Sequence, residues 1–248
     1  MVEEGTRLDR SRSTGGRRRR TSEKAVLTSL LLVEEKLLES EYFLGRIAIS
    51  NDPIHLRYDL NAFVSACRVA FFLLRKELAR VDGFRDWVKE AERRIDEDDV
   101  QAFFVRLRNF SQKEGRIQVH GQMSSRADGR PGAWRWIFVD GSLEVPTVLK
   151  GVQVATACRM YLARTATLIL ECARRFPYDA CPWMALSREG VRERQLDLNR
   201  IEFVLGIPKE FIRATAGNDD EQRRIILQRH VDPVAYREIE RLSQIEGN

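Results

Sequence analysis

The sequence predicts a mainly α-helical chain, a helical bundle with an inserted two-stranded β-hairpin and a helical C-terminal extension. Three observations predict it. Asp, Glu, Lys and Arg make up 32% of the chain, against only 15 Gly and 7 Pro in 248 residues. That balance leans toward helix, in a chain long enough to build a core without disulfide or metal staples. Apolar residues recur at three- and four-residue steps through five stretches. Residues 116–141 switch to strand-like alternation around a turn-rich segment.

The first helix is expected over residues 24–47, where Leu27, Leu30, Leu31, Leu37, Leu38 and Leu44 share one side. Ser50, Asn51, Asp52 and Pro53 read as a break. A second helix is expected over 60–79 on Phe63, Val64, Cys67, Val69, Phe71, Phe72 and Leu74. Asp82 and Gly83 punctuate, and a shorter amphipathic helix over 84–95 is anchored by Phe84 and Trp87. Residues 98–114 place Phe103, Phe104, Leu107 and Phe110 on one stripe. The hairpin follows, with Trp134 or Trp136 expected to pack onto the helices, because a lone hairpin is marginal in water. One long helix over 146–176 closes the bundle. Pro177 and Pro182 read as a linker, and four shorter helices fill the remainder. Gly206 and Pro208 punctuate two of these, Asn218 to Glu221 resembles a capping box, and Asp232-Pro233 reads as a helix start. The expected organisation is a basic tail (1–22), the bundle (23–178) and a C-terminal helical subdomain (179–248).

Charge is concentrated at one end. The net charge is +5, and residues 1–20 hold seven arginines against Glu3, Glu4 and Asp9. The run Arg17, Arg18, Arg19 and Arg20 lies among Gly, Ser and Thr and has no apolar surface to bury. Such a run attracts polyanions by counterion release. No apolar h-region follows it, so it does not read as a secretory signal. The apolar-rich stretches 25–33 and 152–173 are too short or are interrupted by Arg159 and Arg164, so no membrane partner is expected. Cys67, Cys158, Cys172 and Cys181 lack metal-ligand spacing, and the first three fall in apolar helical patterns, as inert core thiols would. With His55, His120 and His230 scattered, no metal and no cofactor are expected, and a reducing, cytoplasmic location fits.

The stretch that carries chemistry is 103–115. With Phe103, Leu107 and Phe110 fixing the buried direction, Arg108 falls on the flank and Asn109 and Lys113 form an i, i+4 pair on the opposite side. Gly115 is placed to end the helix. An arginine, an amide and an ammonium at one helix end suit a phosphate or a carboxylate.

Arg108-Asn109, three further residues and then Lys113 resembles the motif of the HEPN superfamily of helical ribonucleases and nucleotide-binding proteins. That motif is Arg, a polar residue, three variable residues and His. The aromatic-rich stretch Asn61 to Val69, the segment Gly83 to Trp87 and the long helix around Tyr161 and Glu171 resemble a bacterial HEPN-like group over residues 24–176. The resemblance implies metal-independent RNA cleavage by a ribose 2′-hydroxyl, a homodimer that joins two motif helices, and Arg108 and Asn109 as catalytic residues. Lys113 stands where the family's histidine would. Histidine, at a pKa of about 6.5, exchanges protons near neutrality, whereas lysine at about 10.4 does so only when burial lowers it by roughly three units. The expectation is a weakened or inactive relative that still binds RNA or nucleotide phosphate through Arg108, Asn109, Lys113 and Arg17 to Arg20. His120 is the nearest histidine that could substitute.

Two other readings stay open. Residues 201–213 carry a helix, a glycine turn and a second helix offering Lys209, Glu210 and Arg213, similar to a DNA-binding helix-turn-helix, although Glu202 falls where a small residue is usual. A non-catalytic scaffold that docks through the arginine tail is the third.

Overall fold

The computed structural model describes residues 27–125, 131–217, 219–231 and 236–247. The run Arg17 to Arg20 and the expected helix start at Asp232-Pro233 lie outside them. The architecture is mainly α, with one antiparallel hairpin inserted between the fourth and fifth helices.

Helices α1 (Leu31–Ile49) and α2 (Pro53–Glu77) form a hairpin whose facing sides bury Val33, Leu37, Leu44 and Ile47 against Leu56, Leu60, Phe63 and Val64. Arg46 of α1 donates to the buried Asp59 of α2 at 2.8 Å. The second helix begins at Pro53, seven residues before the expected start at 60. Asp52 is its N-cap and accepts from the N–H groups of Ile54 and His55 at 2.7 and 2.9 Å. Proline at the first helical position needs no N–H, so Asp-Pro both stops one helix and starts the next.

Gly83, at φ +78°, turns the chain into α3 (Phe84–Glu97). Asp98 caps α4 (Asp99–Lys113) by accepting from Gln101 N–H, and the same carboxylate takes two hydrogen bonds from Arg164 at 2.8 Å each. Arg164 belongs to α5 (Val154–Arg175), which runs through the bundle and buries Val154, Cys158, Tyr161, Leu162, Ile169 and Cys172. It starts later than expected because residues 147–149 form a single 3-10 turn and Gly151 takes φ +73°. Burial pushes the Cys67 thiol up to about 12 and the Cys158 thiol well above its ordinary value, as inert core thiols require.

Strands β1 (Val119–Ser125) and β2 (Pro131–Phe138) pair antiparallel, Val119 opposite Phe138, Gly121 opposite Trp136 and Met123 opposite Trp134. These residues share one face. Phe138 enters the core against Phe103 and Phe104, and Trp136 donates Nε1–H to the Ser50 carbonyl at 2.8 Å. Trp136 thus docks the hairpin on the α1–α2 corner, whereas Trp134 stays 43% exposed.

The chain after α5 holds more helices than the four expected. Among the described residues these are α6 (Pro177–Ala180), α7 (Pro182–Ala185), α8 (Arg188–Arg194), α9 (Leu198–Val204), α10 (Lys209–Ala216), α11 (Asp220–Arg229) and α12 (Arg237–Ser243). Pro177 and Pro182 each open a one-turn helix rather than mark a linker. The cap of α11 is Asp219, accepting from Glu221 and Gln222, one residue beyond Asn218. A second small core forms from Leu186, Leu196, Leu198, Ile201, Ile212 and Leu227. Helix α12 leaves it: Ile239 and Leu242 are buried with the bundle, Arg241 pairs with Glu41, and Glu34 accepts from Glu238 N–H at 3.0 Å. Among the described residues no helix is long and apolar enough to cross a membrane.

A methyl group at Gly121 would lie 2.6 Å from the Trp136 ring. Gly121→Ala is therefore expected to lower stability by about 1–3 kcal/mol through overpacking, read as a lower urea midpoint. An unchanged midpoint would mean the hairpin is not seated through Trp136.

Candidate functional site

The rotation of α4 follows from its apolar stripe. Phe103, Phe104, Leu107 and Phe110 are buried, which leaves Arg108 half-buried on the flank and Asn109 and Lys113 exposed. Arg108 Nη1 donates to Asn109 Oδ1 at 3.3 Å. Lys113 stands one turn on from Asn109 and has no hydrogen bond or ion pair among the described residues. The structure therefore brings Arg108 and Asn109 together and leaves Lys113 at the rim. The N–H groups of Glu114 and Gly115 both reach the Phe110 carbonyl, closing the helix. Gly115 is not a left-handed cap. Its bare Cα leaves room for the Phe110 ring, which a Cβ would meet at 3.1 Å.

The flank of Arg108 faces α2. Gln112, one turn after Arg108, donates Nε2–H to Ser65 Oγ at 3.2 Å. Ser65 ends an i, i+4 stripe on α2 whose other members are Arg57 and Asn61. Three buried polar atoms on these two stripes, Arg57 Nε, Asn61 Oδ1 and Arg108 Nε, have no hydrogen-bond partner among the described residues. An orphaned buried donor or acceptor costs about 1–3 kcal/mol, and more when the group is charged. The two helices thus meet along a polar seam whose hydrogen-bonding capacity is not filled.

At one end this seam opens into a groove of about 610 Å³ lined by Arg57, Phe110, Glu114, Arg116, Val119 and Val139 among others. Arg57, Arg108, Lys113 and Arg116 have no ion-pair partner among the described residues, and Glu114 is the acid beside them. Several arginines elsewhere are tied: Arg93 to Glu90 and Glu97, Arg94 to Glu171, Arg164 to Asp98, Arg241 to Glu41. At this end of α4 two half-buried guanidinium groups, Arg57 and Arg108, each keep a buried Nε without a hydrogen-bond partner among the described residues. Chemically the cluster offers several N–H donors and a positive field to an oxyanion. Lys113 is exposed, and the Glu114 carboxylate lines the same groove. His120 is exposed on β1, on the face opposite to that of Val119 and Gly121, and does not join the cluster.

Arg57, Asn61, Ser65, Gln112 and Arg116 are absent from the sequence reading of the site. The signal for Arg57 lies in Asp52-Pro53, which as a helix start places Arg57 on the stripe of Asn61 and Ser65. Nothing in the local sequence marks Arg116.

The segment 201–213 forms the expected helix, glycine turn and second helix, with Gly206 at φ +65° between α9 and α10. Glu202 of α9 is 3% exposed and accepts from Arg223 of α11 at 2.9 and 2.6 Å, while Asn199 accepts from the same guanidinium at 2.8 Å. The position usually kept small is thus occupied by one half of an interior ion pair joining α9 to α11. Lys209, Glu210 and Arg213 are exposed on α10. Arg223→Ala strands the Glu202 carboxylate and is expected to cost about 3–5 kcal/mol, whereas Lys209→Ala should stay within about 0.5 kcal/mol. Both are read by urea denaturation, and equal small losses would contradict the interior pair.

No family model, curated protein or solved structure matches the chain.

Proposed function

We propose that the protein binds the phosphates of RNA or of a nucleotide at the α2–α4 seam, as a HEPN-like protein whose ribonuclease chemistry is weakened or lost. The observation that carries this reading is the pair of buried, unpartnered guanidinium nitrogens, Arg57 Nε and Arg108 Nε, the first on a residue that lines an open groove. Phosphate oxygens supply the missing acceptors. Planar guanidinium groups bind them in fixed geometry, and Lys113 and Arg116 add positive charge at the rim. The run Arg17 to Arg20 adds further counterion release, which strengthens binding without sequence preference.

Cleavage by a 2′-hydroxyl needs one group to take its proton and another to protonate the leaving oxygen. Arg108 and Asn109 stabilise charge and orient the phosphate, whereas the position of the family's histidine, the residue type suited to proton exchange near neutrality, is held by the exposed Lys113. Binding without efficient turnover follows. A homodimer that sets two such helices across a two-fold axis would double the cluster into one basic cleft, with the bound anion offsetting repulsion between the copies.

The test is incubation with labelled RNA in EDTA. Wild type is expected to bind with an affinity that falls steeply with salt, about 0.7 log units per log unit of salt for each neutralised phosphate of a single strand. Arg108→Ala and Arg57→Ala should each weaken binding about tenfold, the scale of a charge-assisted contact. Lys113→His should gain slow cleavage. Salt-independent binding, or indifference to both arginine substitutions, would overturn the proposal.

A further inference from the structure

The β-hairpin carries a feature that phosphate binding leaves unused. Trp134 is 43% exposed and lies nearly parallel to Trp136, with ring centroids 5.7 Å apart and 14° between the planes. Trp136 is itself fixed by the hydrogen bond to Ser50 and by the close approach of Gly121. Trp134 therefore rests on a rigid support and is not a loose surface side chain. Met123, its cross-strand neighbour, is 55% exposed and extends the same apolar face. Aromatic side chains held in this way, with much of their surface in water, mark contact sites.

The position of this face indicates its occupant. Val119 and Val139, at the base of the same hairpin, line the groove that holds Arg57 and Arg116. Trp134 is five residues from Val139, about 17 Å along an extended strand. A chain of phosphates in the groove thus passes within a few nucleotides of an open aromatic ring. We infer that Trp134, with Met123 beside it, is a stacking platform for an unpaired base, and that the ligand of the cationic groove is single-stranded RNA. The inference rests on the phosphate-binding reading above. A duplex keeps its bases stacked on one another and offers no free ring face, whereas a single strand can splay a base onto tryptophan irrespective of sequence.

The experiment measures binding of the full chain to a labelled oligouridylate, to an RNA duplex of the same length and to inorganic pyrophosphate. It compares wild type, Trp134→Ala and Trp134→Phe, with sedimentation and a urea midpoint for each. Trp134→Ala is expected to weaken oligouridylate binding about tenfold or more, to leave duplex and pyrophosphate binding unchanged, and to leave the midpoint within error. Trp134→Phe should retain most of the affinity. Oligouridylate should quench the tryptophan emission of wild type and lose most of that effect in Trp134→Phe. Equal loss for all three probes would assign the effect to hairpin packing and overturn the platform. Unchanged oligouridylate binding, with or without an altered sedimentation coefficient, would overturn it too, the altered coefficient assigning the ring to contact between copies. Absence of any binding by wild type would remove the phosphate reading itself, whereas intact pyrophosphate and duplex binding with no effect at Trp134 would remove only the platform.

Discussion

The structure depends on an aromatic junction in which four elements meet. Phe104 of α4 stacks on Tyr161 of α5 at 4.6 Å and 6°, Phe63 of α2 sits edge-on to both at 6.2 Å, and Phe138 of β2 packs against Phe103 and Phe104. Adjacent phenylalanines on one helix point about 100° apart, so burying both Phe103 and Phe104 leaves α4 little freedom to rotate. Every polar residue on α4 is aimed by that constraint. Arg108 falls beside α2, and Asn109 and Lys113 fall outward.

Because α2 is locked to the same junction through Phe63, the stripe of Arg57, Asn61 and Ser65 cannot turn away from α4. Among the described residues, polar atoms are then held against one another without enough partners, and the Gln112–Ser65 bond is the side-chain hydrogen bond made across the seam. Such a seam stabilises the fold less than an apolar one would, and the charges it holds are already partly desolvated. The hairpin is seated by the same junction, through Phe138, and by the corner of α1 and α2, through Trp136. The floor of the groove, its cations and the tryptophan pair are therefore consequences of one packing arrangement.

The helical class, the stripe of Phe103, Phe104, Leu107 and Phe110, and the inserted hairpin were legible in the sequence, because amphipathic period is a local property. The start of α2 was not, since Asp-Pro has the same appearance whether it breaks a helix or begins one. That ambiguity concealed Arg57. One-turn helices such as α6 and α7 contain too few residues to show a period. The return of α12 to the bundle is also invisible locally, since Ile239 and Leu242 are buried by α1 and α5, which lie far back in the chain. Arg108 and Asn109 were singled out from helical spacing and from the motif resemblance. Their unfilled hydrogen-bonding capacity became visible only when α2 was placed beside them.

The central claim is that the buried guanidinium nitrogens of Arg57 and Arg108 await phosphate oxygens. Side-chain NMR of the arginine Nε–Hε groups, recorded while single-stranded RNA is added, addresses it most directly. Both signals should move together and exchange more slowly with water as the nitrogens acquire acceptors. Signals that stay fixed while resonances elsewhere in the protein shift would show that RNA binds away from the seam, and the account would fail.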